Sequence, residues 1–206
     1  MALSSVLALL AYAGRASEGK PERDALYHYG VTISGLILEG ILLAAVLLIA
    51  RGIDPRLLGL RAPRSWVRAL GLALGILIAL IIVEQALESV LHATREQGLE
   101  PTRWDSSRAV PFAINSAVVV LVAPFVEELT FRGLGFAVLR PYGAFVAVVG
   151  SAAAFAAAHG LIEGFPALFI FGVAIAVLRL RTESVFPGML FHAFFNGAAL
   201  ALAFVR

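Results

Sequence analysis

The strongest constraint on this chain is a series of apolar segments, each about as long as a membrane is thick. A helix that crosses the hydrocarbon core of a bilayer needs about 20 mostly apolar residues. Residues 1–13 are apolar but short and lack the basic start of a signal peptide, so they form a further span, an interfacial helix or a poorly ordered start. We predict an all-α, polytopic membrane bundle of six or seven transmembrane helices, with eight as the upper limit. The six clearer segments are 30–50, 67–90, 110–138, 142–160, 165–180 and 184–205.

The composition agrees with a membrane protein and excludes several other classes. Hydrophobic residues make up 60% of the 206 residues and charged residues 15%, whereas soluble domains have roughly 45–50% and about 25%. The net charge of +2 is too small to indicate a nucleic-acid partner. The chain has no cysteine, which excludes a thiol nucleophile and thiolate zinc ligands.

The basic residues are concentrated in alternate connections between the apolar segments. Cytoplasmic connections of membrane proteins are enriched in arginine and lysine. The pattern therefore predicts a multi-pass protein of the cell membrane with these connections in the cytoplasm and the C-terminus outside. We interpret the arginines as orientation signals and lipid headgroup contacts rather than as a binding site. They are Arg51, Arg56, Arg61, Arg64 and Arg68, then Arg140, Arg179 and Arg181.

Ionisable residues inside spans are costly and usually functional, and the densest group lies at 127–132. Neighbouring helix residues point about 100° apart, so Glu127 and Glu128 cannot share a direction. Arg132 is four residues beyond Glu128, a spacing that favours an ion pair. Glu127 is then free to face a cavity, and Pro124 predicts a kink just before it. Glu39, Glu84 and Glu88 are further acids within spans, and we interpret Glu39 and Glu84 as hydrogen-bonded or snorkelled.

Two later segments add polar groups to apolar surroundings. His159 follows a run of small residues, and His192 and Asn196 share a helix face at i and i+4. A helix rise of about 1.5 Å per residue puts Glu127 about 16 Å, His159 roughly 25 Å and His192 about 12 Å from one end of their spans. The depths overlap only loosely, and His159 lies deepest. Convergence of these side chains is thus an expectation that the structure must test.

Such a set supports hydrolysis without a covalent nucleophile. A carboxylate can act as a general base on water, and histidine can transfer protons. An asparagine or a second histidine can stabilise an oxyanion. Glu127, His159 and His192 could instead ligate a divalent metal such as zinc. Both the metal-free version, with no cofactor, and the metal version stay open at this point.

The three segments resemble the motifs of the CPBP family, which comprises intramembrane proteases related to type II CAAX prenyl endopeptidases and Abi proteins. Residues 127–132 resemble its EExxxR motif, residues 155–159 its FxxxH motif and residues 192–196 its HxxxN motif. The resemblance covers about residues 108–206. We therefore divide the chain into an N-terminal helical part, 1–107, with the arginine-rich loop, and a catalytic core of about four helices, 108–206.

The resemblance implies roles for the site residues. Glu127 would activate water with the help of His159. His192 and Asn196 would form the oxyanion side. Glu128 would be a further catalytic residue, and Arg132 and Phe155 would support the site.

The resemblance also implies a glutamic-type endopeptidase that acts on a membrane-associated protein or peptide. The substrate would be a prenylated, lipidated or anchor-bearing chain within the lipid bilayer. Two other classes stay open, a non-enzymatic immunity or scaffold protein and a proton-coupled transporter, for which Glu39 and Glu84 are candidate path residues.

Overall fold

The computed structural model describes residues 24–91 and 104–202, apart from the side chains of residues 84 and 87–91. The predicted span at 1–13 and the side chains of Glu84 and Glu88 lie outside the described residues. Within the described ranges all regular structure is helical. A short 3-10 turn (Ala25–Tyr27) precedes six helices: α1 (Tyr29–Ile49), α2 (Trp66–Leu91), α3 (Ser106–Tyr142), α4 (Ala144–Ala158), α5 (Phe165–Thr182) and α6 (Phe186–Leu202).

The predicted multi-pass, all-α architecture is confirmed, and each of the six clearer apolar segments forms a helix. In the described ranges, α1, α2, α3 and α5 are long and apolar enough to cross a membrane. α4 is shorter than predicted, with 15 residues. α4 stops early because Gly160 takes a φ of +64°, a conformation that ends helices. Helices from both predicted parts of the chain pack together, and the division at residue 108 stays a prediction.

The connections that carry most arginines meet at one end of the bundle. The loop after α1 is joined to the turn after α5 by a hydrogen bond from the Val185 amide to the Gly59 carbonyl, 3.0 Å long. Arg61 pairs with Glu183 across the same contact. Arg179 Nη2 donates to the Leu57 carbonyl at 3.0 Å. We call this the arginine end; its cytoplasmic location stays a prediction.

Small residues allow α4 and α5 to form the most extensive helix contact of the bundle. A Cβ added at Gly172 on α5 would lie 3.0 Å from the Cα and 3.1 Å from the Cβ of Ala152 on α4. Close backbone approach through small residues is a common basis of helix association in membranes. The Gly172 position therefore sets the distance between the two helices.

We expect Gly172→Ala to destabilise the protein by about 1–3 kcal/mol, because the added methyl group overpacks a backbone contact that cannot rotate away. Gly75→Ala on α2 is the matched control, since a Cβ there meets nothing within 4 Å. It should be neutral or slightly stabilising. Unfolding of both variants in the same detergent measures the difference, and equal stability would contradict this account of the α4–α5 contact.

Candidate active site

The acid pair lies on α3, where the helix is not a regular α-helix. Two π-helical segments, Val118–Val122 and Glu128–Gly135, interrupt it, and Pro124 lies between them. The i→i+5 turns of π-helices are rare and often occur at functional sites. The irregularity predicted at Pro124 thus takes the form of a changed helical register, which alters the direction of every side chain that follows.

Asn196 on α6 binds the backbone next to this irregularity. In the π register the Ala123 amide bonds to the Val118 carbonyl, five residues back. The next residue would bond to the Val119 carbonyl, but Pro124 has no N–H. Asn196 Nδ2 donates to that carbonyl at 2.9 Å. One of the two amide hydrogens of Asn196 therefore has a structural partner, and the other has none among the described residues.

Glu128 and Arg132 form the predicted ion pair, and both side chains are completely buried. Arg132 Nη1 lies 3.1 Å from Glu128 Oε1. Arg132 Nη2 donates to the Gly172 carbonyl on α5 at 3.1 Å. The Arg132 guanidinium carbon lies 4.3 Å from the centre of the Phe155 ring on α4. The pair is thus held by groups from α3, α4 and α5.

His192 connects this pair to Glu127. Its Nδ1 lies 3.1 Å from Glu128 Oε1, and its Nε2 lies 3.7 Å from Glu127 Oε2. Because Glu128 is ion-paired with an arginine and an ionised carboxylate can only accept a hydrogen bond, Nδ1 is the nitrogen that carries a hydrogen. Neutral His192 then presents an unprotonated Nε2 to Glu127. A carboxylate that orients a histidine in this way is typical of proton-transfer sites.

Glu127 has the fewest contacts of the acid pair. Its side chain is 16% exposed. Among the described residues it accepts no hydrogen bond. Its one ion-pair contact there is with His192 Nε2, at 3.7 Å from Oε2. Glu127 is therefore the carboxylate available for a ligand or a water molecule, as the sequence predicted.

His159 lies directly after α4, and its depth agrees with that of Glu127 better than the sequence indicated. α3 continues to Tyr142, which puts Glu127 about 22 Å from the arginine end. α4 begins at Ala144, which puts His159 at about the same depth. The expected mismatch was wrong because α3 extends beyond residue 138. His159 Nδ1 lies 2.9 Å from the Phe155 carbonyl, so Nδ1 carries the hydrogen and Nε2 is free to accept one.

Phe155 is the packing centre of the site. The centre of its ring lies 4.7 Å from that of His159 and 5.8 Å from that of His192, in edge-on contacts. The Arg132 guanidinium covers the same ring. Phe155 therefore fixes both histidine rings relative to the ion pair, which gives a physical basis to the supporting role expected from the motif.

Two residues near the site were not assigned to it by the sequence. Gly188 lets α6 approach Glu128, since a Cβ there would lie 3.1 Å from Glu128 Oε2. Glu39 on α1 is 8% exposed, and its Oε2 has no hydrogen-bond partner among the described residues. Its helix packs against the part of α3 that bears Glu127, so the two acids lie on neighbouring helices. Glu39 therefore belongs to the surroundings of the site, and an acid in mid-span was its only sequence signal.

The alternative metal site is not assembled from the predicted ligands. In the parts of the chain that the structure describes, no three His, Cys, Asp or Glu side chains converge on a point that could hold an ion. Glu127, His159 and His192 are therefore not arranged as a zinc site. We derive no step through a metal.

Comparison with known proteins supports the resemblance predicted from the motifs. Residues 109–198 match the sequence model of a family described as type II CAAX prenyl endopeptidase Rce1-like. The matched range contains all three motifs and every site residue predicted from the sequence. Neither the curated proteins nor the solved structures gave a match. The segment that bears the site is therefore Rce1-like in sequence, in agreement with a protease that works within a membrane.

We expect Arg132→Leu to destabilise the protein by about 3–5 kcal/mol, because Glu128 would be left buried without its cation. Adding Glu128→Gln to this variant should recover part of the loss, since the buried charge is then removed. Arg64→Gln is the control: Arg64 pairs with Glu183 at 3.4 Å, but its side chain is 88% exposed. Such a pair contributes about 0–1 kcal/mol. Unfolding in detergent measures all three, and similar losses for Arg132→Leu and Arg64→Gln would contradict the assignment.

Proposed function

We propose, from the premise that residues 109–198 are Rce1-like, that this chain is a glutamic-type intramembrane endopeptidase. Its site hydrolyses a peptide bond with a water molecule activated by Glu127 and His159. The observation that carries the proposal is the continuous series of contacts Arg132–Glu128–His192–Glu127 within an apolar bundle. The series orders three ionisable side chains and leaves the last carboxylate open to a ligand.

The first step is attack by water on the carbonyl carbon of the scissile bond. Glu127 accepts a proton from the water as its oxygen forms the new bond to carbon. His159 Nε2, which is free because Nδ1 is bound to the Phe155 carbonyl, serves as the second proton acceptor. The carbonyl oxygen becomes an oxyanion in this step.

The second step is collapse of that tetrahedral intermediate. The remaining hydrogen of the Asn196 amide can donate to the oxyanion. His192 Nε2 carries no hydrogen in the neutral ring, so it can donate only while it holds the proton that Glu127 took from the water. As the carbon–nitrogen bond breaks, Glu127 gives its proton to the leaving nitrogen. The hydroxyl proton of the intermediate passes through His159 to the same nitrogen, so the products are a carboxylate and an ammonium. Water has been added across the peptide bond, and the site residues return to their initial protonation.

In this reaction the Glu128–Arg132 pair does not contact the substrate and serves to orient His192. It fixes the orientation and tautomer of His192 through the 3.1 Å contact with Nδ1. A supporting carboxylate of this kind controls which nitrogen faces the reaction. We assign the substrate class as a membrane-associated chain, which is prenylated, otherwise lipidated or anchor-bearing, because the site lies among membrane-spanning helices.

We expect Glu127→Gln to lower the cleavage rate by about 10²–10⁴-fold, because the general base is removed. The thermal midpoint should stay near that of the unmodified protein, because the substitution breaks no hydrogen bond among the described residues. The contact of Glu127 with His192 is 3.7 Å long. Cleavage is measured in vesicles with a panel of farnesylated, acylated and transmembrane-anchored reporter peptides. Glu163→Gln, which removes an exposed acid from the α4–α5 turn, is the matched control and should retain full activity.

Full cleavage by a folded Glu127→Gln variant would exclude this mechanism. Absence of cleavage of the whole panel by the unmodified protein would favour the scaffold alternative. Proton-driven uptake into vesicles, lost in Glu127→Gln, would favour the transporter alternative.

We expect cleavage to continue after removal of divalent metal. This expectation is supported by the arrangement of Glu127, His159 and His192, which do not converge on one point in the described parts of the chain. Incubation with EDTA or 1,10-phenanthroline, followed by metal-free assay buffer, should change the rate by less than about twofold. Loss of activity that zinc restores would show instead that Glu127, His159 and His192 rearrange around a metal.

A further inference from the structure

A groove at the arginine end has the features of a binding site for one phospholipid. It has a volume of about 840 Å³ and lies between the start of α2 and the end of α5. Ligand pockets in proteins commonly measure about 300–1,000 Å³. Its lining combines basic residues, namely Arg64, Arg68 and Arg181, with apolar residues, namely Ala69, Leu72, Val177 and Leu180.

The groove lies at the level where the membrane surface meets water. α2 enters its membrane-spanning stretch at Trp66, and α5 leaves its own at Thr182. Trp66 is 41% exposed beside the groove, and exposed tryptophans favour the headgroup region. The groove therefore lies where phospholipid phosphates are found.

On both helices an arginine lies at the membrane surface and an apolar residue lies one turn deeper. On α2, Arg68 is four residues before Leu72; on α5, Arg181 is four residues after Val177. In both cases the arginine is at the end of the span, and the apolar residue lies about 6 Å deeper, roughly one helical turn away. This order matches a phosphate above the beginning of its acyl chains.

The charge of the groove is not neutralised from within. Three lining arginines face one lining acid, Glu183, which leaves a charge of +2. Glu183 is already paired with Arg61 and with Arg64. In the described ranges Arg68 and Arg181 make no ion pair, so two guanidinium groups remain for a phosphate.

We propose that this groove binds an anionic phospholipid, with Arg68 and Arg181 on the phosphate and Leu72 and Val177 against the upper acyl chain. This goes beyond the general headgroup contact expected from the sequence, because it assigns one groove and one bound lipid. The site is separate from the candidate active site and does not depend on the proposed peptidase activity.

The test uses the full chain in a neutral detergent, titrated with phosphatidylglycerol. We expect saturable binding of one lipid by native mass spectrometry, together with a higher thermal midpoint. The double variant Arg68→Gln/Arg181→Gln should bind about 10- to 30-fold more weakly. Arg51→Gln/Arg140→Gln is the matched control, since it removes the same charge from exposed positions that do not line the groove, and it should bind like the unmodified protein.

Two further measurements identify the ligand and exclude misfolding as the cause of weaker binding. Phosphatidylcholine and inorganic phosphate should both bind far more weakly, because one lacks the net charge and the other lacks the acyl chains. Arg68→Lys/Arg181→Lys keeps the charge and should retain most of the binding. Equal binding by the two glutamine double variants, uptake that does not saturate, or equal stabilisation by inorganic phosphate would each overturn the proposal.

Discussion

The completely buried ion pair between Glu128 and Arg132 is the interaction on which the rest of the bundle depends. Removing two charges from water costs several kcal/mol per ion, and this cost is offset only when both groups have further partners. Here those partners are the Gly172 carbonyl, the Phe155 ring and His192. They come from α5, α4 and α6, so folding of the last four helices and stabilisation of the pair require each other.

This dependence explains why the three motifs are spread along the chain yet act together. The arginine of the first motif needs the phenylalanine of the second, and the glutamate of the first needs the histidine of the third. Small residues make the contacts possible, since Gly172 and Gly188 allow α5 and α6 to reach Arg132 and Glu128. Each motif thus contains residues that stabilise the fold as well as residues that face the site.

The sequence predicted the helices, the Glu128–Arg132 pair and the availability of Glu127, because these depend on hydropathy and on spacing within one helix. It could not predict contacts that depend on helical register or on helix ends. The π-helical segments of α3, the early end of α4 and the extension of α3 to Tyr142 are examples, and this extension brings Glu127 to the depth of His159. The place of Glu39 near the site was also missed, because it depends on the packing of α1 against α3, which brings together parts of the chain about ninety residues apart.

The distinction between structural and chemical roles is clearest when the partners of each polar side chain are compared. Asn196 donates a hydrogen bond to a backbone carbonyl that Pro124 cannot bind, and Glu128 neutralises a buried arginine. His192 Nδ1 forms a hydrogen bond with Glu128 Oε1. Packing alone accounts for these three contacts. Glu127 differs, because its carboxylate accepts no hydrogen bond and neutralises no arginine among the described residues. A charged group within a span that has no structural partner is costly. Glu127 is therefore the residue whose presence a chemical role explains best.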